Sequence, residues 1–229
     1  MWHFRKKLTI DQLSCKDINT VIQTVQNGEI KPWSNVQILV IDDLEFAHTD
    51  GLQREYGFNI RWMKDITPDQ AKDFDIVLCD QEGVGRMLSK NNQGGALARE
   101  IKSRFPMKYV VLYTASGKAI GNSDILKVVD NAISPGADLD DFAQSLKDWC
   151  AEVMDPKKRW IKLRGILLDK GVSIHAVAKM EDRIVCAWNK NPHAIKADVF
   201  GRIAEGAVSK LLADFVIYLV KTCAPLLAF

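Results

Sequence analysis

From Val36 onward the chain alternates short apolar runs with amphipathic stretches, and that alternation restricts the fold more than any other feature. Short apolar runs bounded by turn residues are strands covered on both faces, and the stretches between them carry the helical period, so the segment reads as successive βα units. The expected strands are Val36–Ile41, Asn59–Trp62, Asp75–Cys79, Tyr109–Tyr113 and a weak final pair, Ala132 and Ile133. The expected helices are Glu45–Tyr56, little more than a turn at Pro68–Lys72, Gly95–Arg104, a short helix or turn at Ile125–Val129, and a closing helix Asp138–Met154. Joined by right-handed crossovers, these strands form an α/β doubly wound parallel sheet of five strands.

On either side the pattern changes. Residues 1–35 form an extension with one short helix, Asp17–Gln26, in which Ile18, Val21, Ile22 and Val25 share a face and Gly28 supplies a stop. Residues 36–154 hold the α/β domain. Residues 155–229 form a helical C-terminal domain, with helical periods in Trp160–Leu168, Ile174–Trp188, Ala197–Glu205 and Ala207–Cys223 and turns at Gly171 and at residues 189–192. In the last helix Lys210, Asp214 and Lys221 fall within about 40° of one another, leaving a broad apolar face. That face carries Leu211, Leu212, Phe215, Val216, Ile217, Leu219 and Val220, too wide to leave in water, so it is expected to be buried and in part to join two copies into a homodimer. The three charges also break any apolar span long enough to cross a membrane.

Lys and Arg number 31 against 29 Asp and Glu, so the net charge of +2 gives no global attraction to nucleic acid or anionic lipid. Cys15, Cys79, Cys150, Cys186 and Cys223 are odd in number, scattered and without a C-x-x-C pair, which argues against a disulfide framework and a zinc site. Polar sequence follows Met1–Lys7 where an export signal would need an apolar run, and a cytoplasmic location is expected.

In an open parallel sheet the ligand site forms beyond the carboxyl ends of the strands. Asp42 and Asp43 follow the run Ile38–Ile41, and Asp80 follows Ile76–Cys79, so three carboxylates converge at neighbouring strand ends. Like charges that close repel unless a cation intervenes, and an all-oxygen site completed by a phosphate suits Mg2+. Thr114, at the end of Tyr109–Tyr113, places a hydroxyl at the same edge, within reach of a phosphoryl oxygen.

In order and spacing these residues resemble the receiver domain of response regulators, from Val36 to about Trp149. Ile38–Asp43 is similar to the family's first strand with its acidic pair, and Asp75–Asp80 to the strand that ends in the phospho-accepting aspartate. Gly95–Lys102 with Pro106 is similar to the third helix and its exit, and Val110–Ala115 to the fourth strand with its Thr-Ala pair. The resemblance implies a flavodoxin-like, CheY-like fold. It also implies a phosphoprotein of a two-component phosphorelay, in which Asp80 attacks a phosphoryl donor while Asp42, Asp43 and Mg2+ neutralise the charge in transfer. The implied partner is a histidine kinase or phosphotransfer protein, and the chain is not a turnover enzyme.

Two positions depart from the family. Ser134-Pro135 stands where the family has Lys-Pro, and Asn131 stands where it has an aromatic residue. The resemblance is therefore to a degenerate receiver, and a pseudo-receiver adaptor that assembles protein partners without phosphorylation is the alternative function. A DNA-binding regulator is the third. Lys157, Lys158, Arg159, Lys162 and Arg164 offer charges to phosphates and Leu168–Ala178 faintly resembles a helix-turn-helix, but the second helix, with Glu181 and Asp182, is poor in groove-reading side chains. Gly83-x-Gly85 and Gly94-Gly95 are read as turns, because no dinucleotide or Walker pattern follows the first strand, and His175 as a surface or structural residue.

Overall fold

The structure, a computed structural model, describes residues 32–91, 93–113, 123–134, 136–190 and 206–219. Of the described residues, those from 32 to 153 form one compact unit, and 154–190 with 206–219 belong to a second.

The first unit is built on β1 (Gln37–Ile41), β2 (Asn59–Met63), β3 (Ile76–Asp80), β4 (Tyr109–Tyr113) and β5 (Asn131–Ile133). All pairings are parallel and the order is β2-β1-β3-β4-β5, the flavodoxin-like arrangement that receiver domains share. The fold class expected from the sequence is the one observed. The helices are α1 (Thr49–Arg54), α2 (Gln93–Arg104), α3 (Ser123–Leu126) and α4 (Leu139–Met154), with 3-10 turns at Pro32–Asn35 and Pro68–Asp73.

Strand residues alternate between the two faces of the sheet. Leu39, Ile41, Val77, Cys79, Val110 and Leu112 share one face, buried with Leu97, Ala98 and Ile101 of α2. Tyr113, of opposite parity to Leu112, meets Phe46 and Phe142 in a ring cluster. Because both faces are covered, the central strands read as unbroken apolar runs. Register then levels the strand ends: Ile41 lies opposite Cys79, and Asp80 opposite Tyr113.

Several bounds differ from expectation, each for a local reason. Glu45–Tyr56 contracts to α1, where Gly51 weakens the middle and Gly57, at φ 71°, lies beyond its end. Pro68–Lys72 becomes a 3-10 turn, with Pro68 at its first position and Thr67 and Gln70 forming a capping box. Asp138 lies outside α4 because its carboxylate caps it, accepting the Asp141 N–H at 2.8 Å. Gly94 and Gly95 stand in the first turn of α2, not in a loop.

The second unit contains α5 (Pro156–Asp169), α6 (Ile174–Lys190) and α7 (Gly206–Tyr218). Asp155 caps α5 by accepting from the N–H groups of Lys157 and Lys158, and Gly171, at φ 81°, makes the turn to α6. Trp160 is fully buried, packs its ring 5.5 Å from Phe215 and donates from Nε1 to Glu181 Oε2 at 2.8 Å, so one side chain ties α5 to both neighbours. The apolar face of α7 is covered at Leu212, Phe215 and Val216, whereas Ile217 stays 49% exposed. Among the described residues no helix is long and apolar enough to cross a membrane. The helices expected at Asp17–Gln26 and Ala197–Glu205, and the end of the last helix from Val220 to Cys223, lie outside the described residues.

Candidate functional site

The site begins where β1 ends. The buried run Ile38–Ile41 carries the chain to Asp42, whose N–H continues the ladder to Met63 O at 3.2 Å. Its carboxylate turns back to accept the Leu44 N–H at 2.8 Å, and its carbonyl accepts from Trp62 Nε1 at 3.0 Å. Asp42 is 7% exposed, a buried acid among apolar neighbours. Burial pushes its pKa up, the Leu44 N–H opposes this, and the Asp43 carboxylate adds to the rise.

Asp80 ends β3 half-buried, and the backbone N–H groups of Glu82 and Gln81 donate to it. Burial nevertheless pushes its pKa up to about 6, with Asp42 and Asp43 adding repulsion. One carboxylate oxygen from each of Asp42, Asp43 and Asp80 lies within 4.8 Å of the other two. Burial and carboxylate repulsion both disfavour ionisation of Asp42 and Asp80, and a cation beside them would oppose both effects. Three oxygen donors at this spacing, with no sulfur or nitrogen among them, fit a hard divalent ion.

The loop after β3 closes the site. Gly83 and Gly85 take positive φ, 82° and 68°, the conformation that favours glycine. Gly83 N–H donates to Gln93 Oε1 at 2.6 Å, and Gly85 N–H to Asp65 Oδ1 at 3.1 Å, which fixes the loop at two points. A β-carbon on Gly94 would sit 1.6 Å from the Asp80 carbonyl oxygen, so only glycine lets α2 start against the end of β3. From this loop Arg86 Nη2 reaches to 3.9 Å from Asp43 Oδ2. On the other side Tyr113 forms an apolar wall, its hydroxyl pKa pushed up to about 12 by burial and then by Asp42 and Asp80.

The structure thus brings together Asp42, Asp43 and Asp80 as the sequence places them, while Thr114 lies outside the described residues. Ser134 is exposed, with its hydroxyl accepting the Gly136 N–H at 3.2 Å. Asn131 is exposed on β5, its side-chain oxygen turned to the Ala132 N–H. His175 is exposed at the start of α6. In the basic run, Arg159 lies over the Tyr218 ring at 4.2 Å and Trp160 is buried. Sequence reasoning missed Arg86 and the close approaches at Gly83 and Gly94; the Gly83-x-Gly85 pair in the loop that follows Asp80 at its strand end was the available signal.

No protein-family model and no curated protein matches the chain. Among solved structures it is similar to a response regulator from Thermotoga maritima, at 20% identity over 51% of this chain and 98% of that one, with a TM-score of 0.41. A receiver domain protein from Clostridium thermocellum matches at 18% identity over 51% and 95%, with a TM-score of 0.42. A response regulator from Burkholderia pseudomallei, described with a phosphorylated aspartic acid, a calcium ion and citrate, matches at 19% identity over 62% and 90%, with a TM-score of 0.40.

Proposed function

We propose that this chain is a response-regulator-like signalling protein in which Asp80 accepts a phosphoryl group at a site where Asp42, Asp43 and Asp80 hold Mg2+. The observation that carries this reading is the convergence of three carboxylates, from the ends of β1 and β3, within 4.8 Å. A carboxylate oxygen of Asp80 would attack the phosphorus of a phosphohistidine or a small acyl phosphate. One P–O bond forms, the bond to the donor breaks, and its electron pair leaves with the imidazole nitrogen or the acyl oxygen. Mg2+ bound there would offset the carboxylate charge and draw electron density from the phosphoryl oxygens. The N–H groups of Gln81 and Glu82 orient the nucleophile, and the buried Tyr113 lies close enough to Asp80 to feel its charge.

In this role the protein is a substrate and switch, not a turnover enzyme, and its partner is a histidine kinase or phosphotransfer protein. A cytoplasmic location accords with the free thiols of Cys79, Cys150 and Cys186. Incubation with acetyl phosphate and Mg2+, followed by mass mapping, tests the assignment. A labile phosphoryl group on Asp80 is expected, and its absence from wild-type protein contradicts the reading.

A phosphorylation-independent adaptor is the second reading, and the exposure of Ser134 and Asn131 favours it, since neither side chain is placed to register a phosphoryl group by packing. The same labelling experiment separates the two, because an adaptor remains unmodified.

A further inference from the structure

A phosphoryl group on Asp80 would replace one negative charge with about two, beside the carboxylates of Asp42 and Asp43. A single divalent ion leaves that assembly with a net negative charge, so a second cation is required nearby. Position 134 does not supply one: Ser134 is neutral, exposed and turned to the Gly136 N–H. Among the described residues, the cation in ion-pair contact with the carboxylate trio is Arg86, with Nη2 3.9 Å from Asp43 Oδ2.

The backbone that carries Arg86 is held in place. The loop that carries it leaves the nucleophile itself, and its backbone is fixed where Gly83 N–H meets Gln93 Oε1 and Gly85 N–H meets Asp65 Oδ1. Beyond Arg86 the chain turns again, with Leu88 N–H donating to Gly85 O at 3.0 Å. The loop therefore projects a guanidinium from a constrained backbone at the rim of the pocket, with its side chain 64% exposed. Its planar fork of donors suits the oxygens of a phosphoryl group better than the single oxygen it now faces.

We propose that Arg86 supplies, from the loop after β3, the cation that contacts a phosphoryl group on Asp80 and that Ser134 leaves missing. The proposal rests on the reading of Asp80 as phosphoacceptor. In the resting protein Arg86 partly neutralises Asp43; with a phosphoryl group present it exchanges that contact for the phosphoryl oxygens.

The test compares the full chain with Arg86→Ala, Arg86→Lys, Asp80→Asn and the double variant Arg86→Ala/Ser134→Lys, titrated with Mg2+ alone and with beryllofluoride in the presence of Mg2+. Arg86 is exposed, so its removal leaves the fold intact, and the Mg2+ titration reports this directly. Arg86→Ala is expected to weaken beryllofluoride binding by about tenfold or more, while Mg2+ alone binds as in wild type or more tightly because a competing cation is gone. Arg86→Lys retains part of the affinity, and Ser134→Lys in the Arg86→Ala background restores part of it. If Arg86→Ala binds beryllofluoride like wild type while Asp80→Asn abolishes binding, the proposal is wrong and the phosphoacceptor reading stands. If wild type binds no beryllofluoride, both fail together.

Discussion

A β-carbon on Gly83 would lie 2.3 Å from the carboxylate carbon of Asp43. The loop after β3 thus brings bare backbone against one of the three acids, leaving no room there for a side chain. Gly83→Ala should displace Asp43 and also force a β-carbon into φ 82°, a strain of about 1 to 3 kcal/mol. The expected outcome is a loss of divalent-ion affinity larger than the loss of stability explains, read by titration calorimetry alongside denaturant unfolding. Gly165 in α5 has nothing within 4 Å of its β-carbon position, so Gly165→Ala should instead stabilise by about 0.5 to 1 kcal/mol.

Stability should depend on pH through Asp80. Its folded pKa of about 6 lies above the ordinary 3.8, so the folded chain holds this proton more tightly than the unfolded chain. The stabilising contribution is fully present below about pH 4 and is lost as pH rises through about 6. Asp42, also raised, acts in the same direction. In EDTA the urea midpoint attributable to the site should fall between pH 4 and pH 7, and Asp80→Asn should flatten that fall. Added Mg2+ should stabilise more at pH 7 than at pH 5. An unchanged slope in Asp80→Asn would show that another group sets the dependence.

In the helical unit Trp160 bridges α5 to Phe215 of α7 and Glu181 of α6. Trp160→Ala removes a fully buried ring and should cost about 3 to 5 kcal/mol of that unit's stability. Trp160→Phe should fall between the two, because it keeps most of the ring contact and loses the hydrogen bond to Glu181. Far-UV circular dichroism during denaturant unfolding checks the order.

Among the described residues of the last helix's apolar face, Ile217 is the exposed one, at 49%. If that residue joins two copies, wild-type protein should sediment as a dimer at micromolar concentration and Ile217→Glu as a folded monomer. A monomeric wild type would contradict the homodimer expected from the sequence.

Much of this fold is legible in the sequence because its central strands are covered on both faces, which writes them as unbroken apolar runs; Tyr109–Tyr113 matches from end to end for that reason. The three acids are legible by the same logic, since each follows such a run and parallel register levels the strand ends. What escaped lies where the chain has no period. Arg86 sits on an irregular loop whose direction depends on two positive-φ glycines and on the distant Asp65 and Gln93. The role of Gly94 depends on how closely α2 approaches β3, which no local propensity encodes.

The most direct measurement is calorimetric titration of the intact chain with beryllofluoride in the presence of Mg2+, alongside Asp80→Asn. Saturable binding to wild type that Asp80→Asn abolishes is the predicted result. No binding to wild type, or binding that survives the loss of the Asp80 carboxylate, would contradict the assignment of Asp80 as the phosphoacceptor.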